Sequence, residues 1–187
     1  LWNVGYSALT EVNQIRLDMD AISGALALIK KSYIPDIVFV DYLQRIPAAG
    51  NAESKAVAIS DNLDALKNMA LRAACPFVVG VQARRDVDST DSKVPGLDDG
   101  QWTSNIEQTS DRVLSLMRPA KYWQEGEDTG LKIKKGNQTL SVRRTGNNQL
   151  FISVLKQKLG KDNFARWAYF EPEYNKLYEL ETREERK

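Results

Sequence analysis

The sequence predicts an α/β fold in which a mostly parallel sheet is flanked by helices. Two apolar runs rich in β-branched residues, 36–41 and 77–81, are typical of strands buried on both faces, as parallel sheets require. Between them, residues 53–74 repeat apolar side chains at spacings of three and four, which predicts an amphipathic helix. A strand, a long helix and a second strand together form the βαβ unit of an open α/β sheet.

The remaining elements follow from the same periodicities and from turn residues. Pro35 ends a first amphipathic helix, Gly136-Asn137 marks a hairpin turn, and we expect the charged tail after Glu171 to be frayed or helical. The other predicted elements are a helix over 9–31, a polar loop over 84–104, a short helix over 105–111, and strands over 113–117, 131–144 (a hairpin), 150–156 and 165–170. We therefore predict a single partial domain, with a core at about 9–118, a β-rich part at about 119–178 and a charged tail at 179–187.

Composition restricts the protein class. The chain has 187 residues with 42% hydrophobic and 27% charged side chains, as in an ordinary globular domain. No apolar run approaches the length of a membrane span, and no signal peptide is recognisable, so we expect a cytoplasmic protein without membrane contact. Cys75 is the single cysteine, which excludes an internal disulfide. The first residue is Leu1 rather than Met, which indicates a fragment or a processed chain.

Polar side chains follow both strands of the βαβ unit. Asp41 ends the first apolar run and Gln82 follows the second, and ligands of open α/β sheets bind just beyond the carboxyl ends of the strands. An apolar strand ending in Asp is a Walker B pattern, whose carboxylate holds the water shell of Mg²⁺ beside nucleotide phosphates. An amide such as Gln82 can both donate and accept hydrogen bonds. The alternatives are an Asp that caps the following turn and a Gln that satisfies backbone groups.

Four segments in order resemble the DnaB family of replicative DNA helicases. They are DIVFVDYLQ at 36–44, PFVVGVQARRDVD at 76–88, SNIEQTSD at 104–111 followed by a strand and Arg118, and VLKQKLG at 154–160. The resemblance covers residues 9–178 and implies a RecA-like ATPase domain that couples ATP hydrolysis to translocation on single-stranded DNA. It implies that Asp41 holds Mg²⁺ through water and that Gln82 senses the terminal phosphate of ATP. It places Arg118 at the nucleotide, and Lys156 and Lys158 at the neighbouring subunit's nucleotide in a hexamer.

The sequence departs from the family at the phosphate site. No segment matches the phosphate-binding loop G-x-x-x-x-G-K-[ST], so we expect the chain alone not to hydrolyse ATP, and whether it binds ATP and Mg²⁺ stays open. Lys158 stands where the family has Arg, and Lys lacks the planar fork of an arginine finger; Lys158 can equally be a solvated loop lysine. Because the phosphate-loop strand is central in RecA-like sheets, its loss predicts exposed strand edges and a dimer or swapped assembly.

Two regions are candidates for contact with single-stranded DNA. In the loop, Arg84, Arg85 and the backbone at Gly100 are the candidates, although five Asp side chains between 86 and 99 oppose phosphate binding. The hairpin carries the opposite charge, on Lys132, Lys134, Lys135, Arg143 and Arg144. Its alternative role is a solvated face that protects an edge strand.

Three functions stay open. The first is the C-terminal part of a hexameric DnaB-like helicase, the second another RecA-like ATPase such as a recombinase, and the third a non-catalytic interaction or oligomerisation module. The D-Y-L-Q and K-Q-K segments favour the first, and the missing phosphate loop and Lys158 favour the third.

Overall fold

A computed structural model describes residues 18–32, 35–47, 54–83, 87–88, 90–91, 93–97, 103–135, 138–162 and 164–179. The chain divides into two compact units, residues 1–82 and 83–187. The predicted organisation as a single domain with a core ending near 118 stays a prediction. Within the described residues, no helix combines the length and the apolar character that a membrane crossing needs.

The first unit is the predicted βαβ arrangement. Helix α1 (Met19–Ser32) precedes strand β1 (Val38–Val40), helix α2 (Lys55–Ala73) and strand β2 (Phe77–Val79). The two strands are parallel, with Phe39 opposite Val78, as predicted. The hydroxyl of Ser54 accepts a hydrogen bond from the Val57 amide at 3.3 Å and caps α2. The part of the first predicted helix over 9–17 lies outside the described residues.

Helix α2 packs its predicted apolar face inward and covers one face of the strand pair. Ile59, Leu63 and Leu66 are buried, as the periodicity predicted. The expectation that both strands are buried on both faces is wrong in this chain, because Phe39 and Val78 are 59% and 48% exposed. Among the described residues, no element packs over the face that these two side chains share.

The second unit is built from antiparallel strands. After α3 (Thr103–Thr109) come β3 (Arg112–Met117), β4 (Asp128–Lys135), β5 (Gln138–Arg143), β6 (Gln149–Gln157), β7 (Phe164–Glu171) and β8 (Lys176–Glu179). Strands β3, β6, β7 and β8 form one sheet in that order, and β4 and β5 form the predicted hairpin. Met117, Val142, Phe151 and Trp167 form its buried core cluster. The α/β class is confirmed, although among the described strands only β1 and β2 are parallel.

One local expectation is wrong, and the predicted polar loop is partly buried. The tail after Glu171 is neither frayed nor helical where it is described, because β8 pairs with β7 and places Leu177 opposite Phe170. Asn175, at a positive φ of 50°, turns the chain between these strands. In the polar loop, Val87 is only 3% exposed and Val94 packs against the core cluster. The described part of that loop is therefore anchored to the second unit.

Candidate functional site

The carboxyl ends of β1 and β2 bring Asp41 and Gln82 to one edge of the first unit. Backbone bonds hold the two chain segments together there: the Gly80 amide donates to the Val40 carbonyl at 2.8 Å, and the Leu43 amide donates to the Gly80 carbonyl at 2.9 Å. An open depression of about 310 Å³ is lined by Asp41, Tyr42, Gly80, Val81 and Gln82. The peptide bond between Asp41 and Tyr42 is cis.

Gly80 leaves open space beside Asp41. A Cβ built on Gly80 would lie 3.4 Å from the Tyr42 Cβ and 3.6 Å from Oδ1 of Asp41. Both distances are ordinary van der Waals contacts, so the backbone would accommodate Ala, whereas a larger side chain would fill the depression beside the Asp41 carboxylate. The sequence places a glycine where the chain needs open space rather than an unusual backbone angle.

Gln44 holds Gln82 in place through its backbone. The Gln82 amide donates to Oε1 of Gln44 at 3.2 Å, and Nε2 of Gln44 donates to the Gln82 carbonyl at 3.1 Å. This pair of bonds uses both polar groups of the Gln82 backbone and extends the pairing of β1 and β2 beyond their ends. The Q of the D-Y-L-Q segment therefore positions the predicted sensor, a role that the sequence did not reveal.

Asn62 fixes the chain that follows Asp41. Its side chain is 2% exposed, on the inner face of α2. Its amide Nδ2 donates to the carbonyls of Ile46 and Pro47, each at 3.2 Å. Apolar periodicity does not reveal Asn62, because its side chain is polar. The available signal was one Asn among the buried positions of an otherwise apolar helix face.

The predicted inter-subunit residues lie in the second unit, where each contacts its own chain. Nζ of Lys158 lies 2.7 Å from Oδ1 of Asp111, and the Lys158 amide donates to the Asp111 carbonyl at 3.0 Å. The Lys156 ammonium donates to the Glu107 carbonyl. Lys156 therefore lies against α3, and Lys158 lies against the segment that joins α3 to β3. Arg118, at the end of β3, donates from its guanidinium to the Asn147 carbonyl at 3.3 Å.

The residues predicted to contact DNA differ in their exposure and in their hydrogen-bond partners. Lys132 and Arg143 are exposed on the hairpin, where Lys132 pairs with Ser141 and Arg143 pairs with Asp128. Arg144 is half-buried and its guanidinium donates to Oδ1 of Asn147, so it supports the turn before β6. The remaining candidates lie outside the described residues or side chains: Arg84, Arg85, Gly100, Lys134 and Lys135.

A cluster that the sequence did not predict surrounds Asp88. Nζ of Lys121 lies 2.8 Å from Oδ1 of Asp88, and the Tyr122 hydroxyl donates to the same oxygen at 2.5 Å. The hydrogen bond from Lys121, followed by that from Tyr122, lowers the pKa of the Asp88 carboxyl below its ordinary value. The hydrogen bond to Asp88 in turn raises the pKa of Lys121.

The model of the DnaB-like helicase C-terminal domain family matches residues 8–178. The chain belongs to this family. Its relatives include the replicative DNA helicase DnaB of Rickettsia conorii, 27% identical over 167 residues, which are 89% of this chain and 33% of the relative. A probable plasmid replicative DNA helicase of Chlamydia psittaci is 30% identical over 121 residues, 65% of this chain and 25% of the relative.

The solved structure of a DnaB-like replicative helicase, described together with the interactions of that helicase with primase, shares the fold of this DnaB-like chain. The TM-score is 0.70 at 24% sequence identity, and the match covers 88% of this chain and 35% of that one. The chain thus spans between a quarter and a third of the length of the curated relatives named above. The family and the RecA-like fold expected from the four segments are confirmed.

Proposed function

We propose that this chain is part of the motor of an ATP-dependent replicative DNA helicase, and that Asp41 and Gln82 form its nucleotide-responsive edge. The observation that carries the proposal is their position side by side at the carboxyl ends of two adjacent parallel strands, around one open depression. This is where open α/β sheets bind ligands. Family membership supports the same chemistry, because the matching relatives are replicative helicases.

The donor set at this edge fits Mg²⁺ only in company with a nucleotide. No three carboxylate or thiolate side chains among the described residues converge to hold a metal ion. Mg²⁺ commonly binds one or two carboxylates, several waters and substrate phosphates, so the exposed Asp41 carboxylate suits a water-mediated contact. When bound, Mg²⁺ would neutralise developing charge on the phosphates. Asp41 would orient its water shell, while Gln44 keeps Gln82 within reach.

Lys156 and Lys158 are proposed to act on a neighbouring subunit's nucleotide. Lys158 and Asp111 are both about half-exposed, so their ion pair is screened by water and contributes little to stability. Such a pair can open when a phosphate offers a stronger anionic partner. A hexamer, a dimer or a swapped assembly is also proposed. Leu114 and Leu116 support it, because they are 59% and 61% exposed on β3, which lies at the edge of its sheet.

The proposal is tested by single-strand-stimulated ATP hydrolysis of the complete polypeptide that carries this chain. We expect Asp41→Asn to lower kcat by about 10- to 100-fold, because it removes an anion that orients the hydrated metal. Asp36→Asn is the matched control, since Asp36 is an exposed carboxylate that precedes the amino end of the same strand. Wild-type turnover in Asp41→Asn would refute the role of Asp41. Absence of hydrolysis in the complete wild-type protein would favour the non-catalytic module instead.

A further inference from the structure

Asp88 ties two chain segments together. Its carboxylate accepts hydrogen bonds from Nζ of Lys121, at 2.8 and 3.1 Å to the two oxygens, and from the hydroxyl of Tyr122 at 2.5 Å. Its carbonyl accepts a further bond from Nζ of Lys93 at 2.8 Å. Lys121 and Asp88 are both about half-exposed, so their ion pair alone is weak. Two donors from adjacent residues on one carboxylate nevertheless restrict the orientation of both donors.

Both sides of this contact are attached to the core of the second unit. On the loop side, Val87 is buried and Val94 packs against the core cluster. On the other side, Tyr122 and Trp123 pack against the same cluster, and their rings meet edge-on with centroids 5.7 Å apart. Movement of the loop segment therefore displaces groups that are packed on the core.

The position of Asp88 in the chain gives this contact a functional meaning. Asp88 follows Gln82 after five intervening residues. Lys121 ends the short 3-10 turn that follows Arg118, and Tyr122 comes next. Gln82 is proposed to respond to nucleotide, and the family resemblance implies a place at the nucleotide for Arg118. We propose that Asp88 is a positioning residue that makes the described loop segment at 87–88 and the turn after Arg118 move together, so that the nucleotide state reaches the second unit, which carries the candidate DNA contacts.

This inference rests on the proposed helicase function and adds a residue that the family resemblance does not assign. The simpler alternative is that Asp88 only stabilises the loop. The two differ in what is lost: a stabilising contact affects basal and DNA-stimulated hydrolysis in proportion, whereas a coupling contact affects their ratio. Coupling between sites typically corresponds to about 5- to 150-fold.

The test measures ATP hydrolysis by the complete polypeptide with and without saturating oligo(dT). We expect Asp88→Asn to leave the basal rate within about twofold and to reduce the stimulation by DNA by about fivefold or more. Tyr122→Phe removes one hydroxyl, keeps the packed ring and should lower the stimulation in the same direction. Asp91→Asn is the control, because it removes an equal charge from an exposed position three residues away.

The possible results separate the two proposals. Stimulation that is unchanged in Asp88→Asn and Tyr122→Phe, with a lower thermal midpoint, would show a stabilising role only and overturn the inference. An equal loss of stimulation in Asp91→Asn would attribute the effect to loop charge and also overturn it. If the wild-type protein shows no hydrolysis that depends on Asp41, the helicase proposal fails and the role of Asp88 fails with it.

Discussion

Replacing Asn62 with Ala should destabilise the first unit far more than the size of the side chain suggests. Asn62 is buried in α2 and its amide donates to two carbonyls of the chain that follows β1. The substitution removes both bonds and leaves the Ile46 and Pro47 carbonyls without this donor. Because Ile46 and Pro47 follow the Asp41–Gln44 segment after one residue, the change also loosens the support of the proposed nucleotide-responsive edge.

The magnitude follows from the two bonds. Each contributes about 1 kcal/mol net, and Ile46 and Pro47 are only half-buried, so water can partly replace the lost donor. Ala recovers about 0.5 kcal/mol through its higher helix propensity. The expected loss in the free energy of unfolding is therefore about 1.5 kcal/mol, a substantial fraction of the roughly 5–15 kcal/mol typical of a folded domain.

Urea denaturation followed by far-UV circular dichroism is the appropriate assay. Most of the described helix lies in α1 and α2, which have 14 and 19 residues against 7 in α3, so this signal reports mainly on the first unit. With a slope near 1 kcal/mol per molar urea, the midpoint should fall by about 1.5 M. Asn68→Ala is the matched control, because Asn68 is exposed on the same helix.

The control should shift the midpoint slightly upward or not at all, since it loses no buried hydrogen bond and gains helix propensity. A shift for Asn62→Ala as small as that of Asn68→Ala would refute the reasoning. In that case the two carbonyls would be satisfied in some other way, and the helix would not be the support of the segment after Asp41.

The remaining predictions concern charged residues. At pH values above 3.8, the ordinary pKa of Asp, the thermal midpoint of Asp88→Asn should be lower than that of the wild type. This difference should disappear as the pH falls through the lower folded-state pKa of Asp88. It should also diminish above 10.5, the ordinary pKa of Lys, as the pH rises through the raised pKa of Lys121. On the hairpin, Arg143→Glu should weaken single-strand binding and reduce the slope of log affinity against log salt by about 0.7 per lost phosphate contact. Arg144→Gln should instead lower stability, because its guanidinium supports the turn at Asn147. The basic hairpin residues can also be changed to acidic ones together; they are Lys134, Lys135, Arg143 and Arg144. If the affinity for single-stranded DNA is then unchanged, the hairpin is a solvated face and not a DNA contact.

Local periodicity predicted most elements because the conformation of each helix or strand depends mainly on the side chains within it. The strands and the second helix of the first unit, the hairpin, β6 and β7 lie within a few residues of their predicted bounds. The first helix ends as predicted, although residues 9–17 of its predicted range lie outside the described residues. Burial was less predictable, because it depends on what covers a surface. The apolar run around Phe39 has the composition of a fully buried strand, yet only one of its faces is covered within the described residues.

Some residues of the candidate site were predictable from the sequence and others were not. Asp41 and Gln82 were found because each follows a recognisable strand, and parallel pairing brings the strand ends together. Gln44, Asn62 and Asp88 were not assigned these roles, because their importance lies in hydrogen bonds to partners 15 to 38 residues away in sequence. No periodicity reports on such contacts. The prediction for the tail was wrong for a related reason. Its charge suggested a solvated end, whereas cross-strand pairing with β7 determines its conformation.

The single cysteine provides the first unit with an internal probe. Cys75 is buried between the end of α2 and the start of β2, and its amide donates to the Ala70 carbonyl at 3.3 Å. A thiol reagent can modify it only when this junction opens, so the modification rate measures the free energy of that local opening. Because no second thiol competes, the same reaction would report whether nucleotide or a partner chain tightens the strand that leads to Gln82.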